Sequence, residues 1–147
     1  MLIFQTFSAF LATLGFGIIF NIKGKKLFFA SLGGAISWFF YSLSLILNLS
    51  ELSSLFISAI IFSSYCEIFA RILKTPVTTL VICSLIPLVP GGGMYYTMLE
   101  AVNGNVAKSL DLGLNTIASA GTLALGIIFV STITKLITVH KIPQKRK

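Results

Sequence analysis

Charge is what this chain has least of, and acids are the scarcest: Asp and Glu number 4 in 147 residues, and charged residues make up 10%. A soluble domain of this size needs a far more charged surface, so an ordinary water-borne globule is excluded. Cysteine appears twice, as Cys66 and Cys83, both inside apolar runs and without metal-ligand spacing. That excludes a disulfide framework or a zinc module and reads as small apolar packing. The single histidine, His140, adjoins Lys141 at the end of the last apolar run and reads as a solvated interfacial residue. No H-E-x-x-H, no Gly-x-Ser-x-Gly, no paired acids and no nucleophile beside a base occur, so neither an enzyme nor a metal or cofactor site is expected.

What the chain has in abundance is hydrocarbon. Hydrophobic residues make up 56% of the sequence, and the mean hydropathy is +0.97. Apolar runs of about twenty residues are membrane spans. The expected fold is an all-α polytopic membrane protein with about five transmembrane helices, over roughly 2–20, 27–47, 52–73, 77–102 and 106–139. Residues 1–139 form a single transmembrane domain, and 140–147 form a basic cytoplasmic tail. Met1 leads straight into the first run without a basic n-region or a small-residue cleavage site, so the first helix is expected to be retained.

The basic residues sort the loops. The net charge of +7 comes largely from two clusters, Lys23, Lys25 and Lys26, and Lys141, Lys145, Arg146 and Lys147, each just beyond an apolar run. Cytoplasmic loops show that pattern, whereas a nucleic-acid groove needs its bases on one soluble face. The second loop carries Glu51, the third Arg71 with Lys74, and the fourth Glu100 and Asp111 against Lys108. Basic and non-basic sides therefore alternate through five crossings of the cell membrane, with the N-terminus outside and the C-terminus in the cytoplasm. A re-entrant hairpin in place of the fourth crossing would put the basic tail outside.

Several positions carry packing signals. Gly15 and Gly17 in the first span, and the pairs Ala30/Gly34 and Gly33/Ser37 in the second, allow another helix to approach closely. Trp38 and Tyr41 sit deep enough in their span to pack rather than anchor at an interface. The third span is rich in serine, at Ser53, Ser54, Ser58, Ser63 and Ser64, whose hydroxyls are expected to bond to their own backbone or to another helix. Thr75 is the expected N-cap of the fourth span, with Pro76 in its first turn.

The fourth span holds the residues least suited to a helix, in Ile86-Pro87-Leu88-Val89-Pro90-Gly91-Gly92-Gly93-Met94-Tyr95-Tyr96-Thr97-Met98. Pro87 and Pro90 lack an N–H, which costs the carbonyls of Cys83 and Ile86 their normal helical partners. A helix from Val77 to Val89 is roughly 20 Å long against a hydrocarbon core of about 30 Å, so the break at 87–93 falls inside the bilayer, and a second piece from Met94 completes the crossing. Broken backbone at that depth persists only where protein or a water-filled cavity satisfies it. The amides of Gly91, Gly92, Gly93 and Met94 at a restarting helix would attract a carboxylate, while freed carbonyls would accept an ammonium. The alternative is a proline kink whose glycines only admit a neighbouring helix.

Tyr95, Tyr96 and Thr97 follow, either lining the cavity with their hydroxyls or forming an interfacial aromatic belt. Glu67 and Arg71 are an i,i+4 pair in the third span, read either as an interfacial pair with Arg71 snorkelling or as a coupling or gating element. Asn115, Thr116 and Ser119 form a polar patch in the fifth span, for helix–helix bonding or for the permeation path. Asp111 reads as a surface acid near the preceding turn.

In Ala70-Arg71, Pro76 and the Pro-Leu-Val-Pro-Gly element at Pro87 to Gly91, the chain resembles the small integral-membrane subunits of the threonine/serine exporter family. The resemblance implies a secondary transporter exporting small polar metabolites, threonine/serine-type amino acids or dicarboxylates such as succinate, together with a larger membrane subunit. On this reading the substrate meets Pro87, Pro90, Gly91, Gly92, Gly93, Tyr95, Tyr96 and Thr97, with Glu67, Arg71 and Asn115 as coupling or gating residues. Two alternatives stand beside it: a homo-oligomeric channel with a Gly-rich filter, and a non-transporting assembly subunit.

Overall fold

The computed structural model describes the backbone of residues 1–140 and the side chains of 1–137. The basic tail and the His140 side chain lie outside the described residues. Six α-helices follow in order: α1 (Leu2–Ile19), α2 (Lys25–Ile46), α3 (Glu51–Ile72), α4 (Val77–Leu85), α5 (Gly91–Val102) and α6 (Val106–His140), with a 3-10 turn over Ile86–Leu88 between α4 and α5. Four helices are long and apolar enough to cross a membrane, and the bent pair Val77–Leu88 plus Gly91–Val102 makes a fifth crossing if it counts as one span. The chain is an all-helical multi-pass membrane protein.

Helix ends follow from local chemistry. Asn21, Asn48, Lys74 and Gly104 adopt positive φ just past α1, α2, α3 and α5. At each, the paired Schellman bonds close the helix, as in Asn21 N–H to Ile18 C=O and Ile22 N–H to Gly17 C=O. Ser50 caps α3, its hydroxyl accepting from the Ser53 amide at 3.3 Å. Thr75 does not cap the next helix. Pro76 occupies that position with ψ of 137°, and its carbonyl takes the Thr79 amide. The Thr75 amide is already committed to the Ala70 carbonyl in closing α3.

α2 is the hub, packed against α1, α3 and α4. Its small residues set how close the others come. A Cβ at Gly34 would overlap the Thr13 side chain of α1, and one at Gly33 would overlap Ser84 of α4. Gly17 is also a close contact, against Leu27, whereas Gly15 has nothing within 4 Å and is not a packing point. The contact between α3 and α6 has the same character, with Gly126 against Ala59 and the Phe56 carbonyl, a pairing the sequence pattern did not single out.

Hydroxyls tie these close contacts together. Ser58 of α3 donates to the Ser37 carbonyl of α2 at 2.6 Å. The Ser37 hydroxyl shares its proton between the Gly34 carbonyl at 2.8 Å and the Ser84 carbonyl of α4 at 2.9 Å. Ser84 in turn reaches the Ala30 carbonyl at 3.4 Å, and Tyr65 donates to the Phe29 carbonyl at 3.0 Å. Each interhelical bond of this kind contributes about 0.6–2 kcal/mol in a bilayer. Trp38 and Tyr41 meet at a tilt of 55° with centroids 5.6 Å apart, packed against the core formed by Phe62, Leu80 and their neighbours, as expected.

α3 and α6 run parallel. Ala59 meets Gly126 midway, while Arg71 and Lys135 line one cavity near their C-terminal ends. α4 packs on α3 but has no extensive contact with α6. A seam floored by α3 therefore lies between α4 and α6. Large apolar side chains elsewhere face outward, among them Ile3, Ile117, Leu125 and Ile128, each more than half exposed, as lipid-facing surfaces require.

Replacing Gly34 with Val should overpack the α1–α2 contact by about 1–3 kcal/mol. The expected readout is a lower Tm of the purified protein in detergent, with Gly15→Ala as the harmless control; an unchanged Tm for Gly34→Val would remove Gly34 from the contact.

Candidate functional site

The break between α4 and α5 resolves into three steps. α4 tightens into the 3-10 turn, Val89 is extended with ψ of 127°, and α5 restarts at Gly91 with its axis turned by 53°. The prolines do not leave the predicted carbonyls free. Ile86 N–H bonds to Cys83 C=O, and Val89 N–H bonds to Ile86 C=O at 3.3 Å, which is how a 3-10 turn absorbs two missing donors. The accepting half of the expected site is thus closed by local pairing.

The donating half survives in part. Gly91 N–H turns back to Val89 C=O at 2.7 Å, and Met94 N–H makes the first α-helical bond to Pro90 C=O at 3.2 Å. Among the described residues no backbone carbonyl accepts from Gly92 or Gly93. Pro90, the residue at the cap, has no side-chain acceptor to offer them. All three glycines lie in regular helix without positive φ, so backbone freedom is not their use. Gly93 is needed for space, because a Cβ there would overlap Thr116 of α6, whereas Gly91 and Gly92 face nothing within 4 Å.

Beside the break lies a cavity of about 430 Å³, bounded by Pro90 and Gly93, by Glu51 and Leu52 of α3, and by Leu112, Asn115, Thr116 and Ser119 of α6. Thr116 and Ser119 spend their protons on the Leu112 and Asn115 carbonyls of their own helix, at 2.7 and 2.9 Å. The wall carries the Glu51 carboxylate and the Asn115 carboxamide. Of the residues singled out from the sequence, Pro90, Gly93, Asn115, Thr116 and Ser119 come together here. Pro87 lines a separate, mostly apolar cavity of about 330 Å³ with Trp38, Gln5 and Ser8. Tyr95 and Tyr96 are 62% and 55% exposed on the outside of α5, edge to face with each other, and do not line the cavity at the break. The Thr97 hydroxyl bonds to the Gly93 carbonyl at 2.7 Å, and the Thr97 carbonyl accepts from Ser109 at 2.8 Å, so Thr97 clamps α5 to α6.

Glu67 and Arg71 sit at the other end of α3. Their side chains approach to 3.6 Å, with the Glu67 carboxylate 12% exposed and the Arg71 side chain 56% exposed. Two adjoining cavities of about 120 and 580 Å³ share Glu67, Val77, Thr78 and Ser131. The smaller also reaches Ser63, and the larger reaches Arg71, Thr134 and Lys135. Sequence reading missed this cluster apart from Glu67 and Arg71. A usable signal was present in the i,i+4 spacing of Ser63, Glu67 and Arg71 on α3 and of Ser131 and Lys135 on α6.

Between the two ends lie buried apolar side chains. Leu55 of α3, Leu88 of the 3-10 turn and Leu123 of α6 are all buried in one core cluster. In sequence each falls between residues that line the cavity at the break and residues that line the cavity at Glu67.

A broken helix beside a polar cavity in a membrane bundle is the setting in which transporters hold ligands. A family profile described as Threonine/Serine exporter, ThrE matches residues 5–133, nearly the whole chain. The chain belongs to the threonine/serine exporter family. Searches of curated proteins and of solved structures give no significant match. Membership places the polytopic bundle among membrane transport proteins and makes its substrate a small molecule.

The three glycines should separate on substitution. Gly91→Ala and Gly92→Ala should hold or raise Tm, since helical Gly→Ala gains roughly 0.5–1 kcal/mol. Gly93→Val should lower Tm, because Thr116 must move to admit it. Equal losses at all three positions would contradict this reading of the break.

Proposed function

We propose that this member of the threonine/serine exporter family is the small membrane subunit of a secondary transporter that exports threonine- or serine-type amino acids. The seam between α4 and α6 is its translocation route. The observation that carries this reading is a pair of polar cavities at opposite ends of one helical seam, separated by Leu55, Leu88 and Leu123. Alternating access needs that arrangement: a ligand site reached from one side at a time, with an apolar barrier between the openings.

The loop charges support five crossings with α4 and α5 forming one bent span, the N-terminus outside and the C-terminus in the cytoplasm. On this topology the Glu67 cavity opens inward and the cavity at the break opens outward.

A larger membrane subunit of the same family fits the exposure of α5. No residue of α5 is buried, and the amides of Gly92 and Gly93 have no carbonyl partner among the described residues. Within hydrocarbon such amides need protein or water against them, and a second subunit would provide either a covering helix or the wall of an aqueous cavity.

Export settles the proposal experimentally. Cells deleted for the chain and complemented with it should release more threonine and serine into the medium than uncomplemented cells. The double variant Pro90→Ala, Gly91→Leu should lose severalfold of that release while inserting normally, as judged by its amount in the membrane fraction. Complementation without effect on either amino acid would refute the exporter reading, and full release by the double variant would remove the break from the route.

A further inference from the structure

Resting on the exporter reading, we infer that the cavity at Glu67 is a built site for a zwitterionic amino acid, with its carboxylate on Arg71 and Lys135 and its ammonium on Glu67. Three observations meet there. The first is the set of charges: the cavity at the C-terminal ends of α3 and α6 carries two cations, Arg71 and Lys135, and one carboxylate, Glu67. That is the inverse of an amino acid's own pair plus one cation. A dicarboxylate would bring its second carboxylate against Glu67 in a low-dielectric setting, which like charges resist.

The second is the slack in the existing pair. Glu67 and Arg71 stand 3.6 Å apart, longer than the 2.7–2.9 Å or so of a charge-assisted hydrogen bond. Parting of that pair would let Glu67 take an ammonium and Arg71 a carboxylate, each as a short contact. The Glu67 side chain is nearly covered, whereas Arg71 and Lys135 reach the mouth of the cavity. The two signs are therefore separated in depth, which would orient the ligand with its ammonium inward.

The third is Ser63. Its hydroxyl is buried, with the residue 2% exposed, and has no hydrogen-bond partner. Ser63 lines the smaller cavity one helical turn from Glu67. Other serines of the same helix, Ser54, Ser58 and Ser64, all donate to a carbonyl. A buried hydroxyl left unpaired is unfavourable unless something completes it. The polar end of a bound ligand, with Thr78 and Ser131 on the facing walls, would complete it.

The test measures radiolabelled L-threonine binding to the full chain, extracted from native membranes in polymer-bounded lipid discs that retain any membrane partner. Saturable binding should be displaced by L-serine and not by succinate. Lys135→Gln should weaken it about tenfold, the cost of one charge-assisted contact. Ser63→Ala should weaken it severalfold while Tm holds or rises, because the hydroxyl has no partner to lose in the empty protein. Thr122→Ala, on the exposed face of α6, should bind as the parent does. Parental affinity in both Lys135→Gln and Ser63→Ala would overturn the site. So would equal displacement by succinate, absence of threonine binding in discs from cells that show chain-dependent export, or anionic phospholipid retained by the parent and lost in Lys135→Gln with threonine affinity unaltered. The exporter reading fails by a different result, the absence of chain-dependent export in the complemented cells.

Discussion

Close approach at α2 is the constraint on which the rest of the structure depends. In hydrocarbon, apolar side chains gain nothing by leaving lipid for one another, so helices associate through tight van der Waals contact and a few hydrogen bonds. Gly33 and Gly34 bring α4 and α1 against the α2 backbone. At that separation the Ser58, Ser37 and Ser84 hydroxyls reach carbonyls on neighbouring helices. α3, α2 and α4 are joined as a unit, with Leu88 of the 3-10 turn buried in the shared core. Without those two glycines neither the hydroxyl chain nor the position of the break would survive.

The break itself shows how a sequence anomaly is absorbed without disorder. Two prolines remove donors, yet Cys83 and Ile86 find new ones within the 3-10 turn. Among the described residues the amides of Gly92 and Gly93 have no carbonyl partner, and Gly93 lines the cavity that also holds Glu51 and Asn115. At the far end of α3 the polar groups are side chains with full charges. The two ends therefore differ in chemistry: dipoles and one acid at the break, two cations and an acid around Glu67.

Much of the fold was legible because hydropathy and helix-stop signals are local. The spans expected over 2–20, 27–47, 52–73 and 106–139 agree with α1, α2, α3 and α6 to within one or two residues. The small pairs around Gly33 and Gly34 pointed to close contacts that the structure contains. What escaped was anything set by which helix faces which. Gly126 looks no different from Gly121 in sequence, yet only Gly126 meets another helix. Tyr95 and Tyr96 come two and three residues after Gly93, and at about 100° per residue that rotation carries them to the outside of α5. Lys135 was indistinguishable from an interfacial lysine until α3 and α6 proved parallel and set it beside Arg71. Thr75 is not the cap because the helix starts one residue later, with Pro76 in the cap position and its carbonyl taking the Thr79 amide.

α6 has 35 residues and no proline, and it is one continuous helix. It furnishes Asn115 and Ser119 to one cavity and Ser131 and Lys135 to the other. Near its middle Gly126 rests against Ala59 with no side chain between them, and α4 gives it little further support. α3 lies along α6 and α5 is clamped to its N-terminal part through Thr97 and Ser109, so one stiff rod is shared by both cavities. Any tilt of that rod against α3 would be felt in both cavities at once, with no helix having to refold.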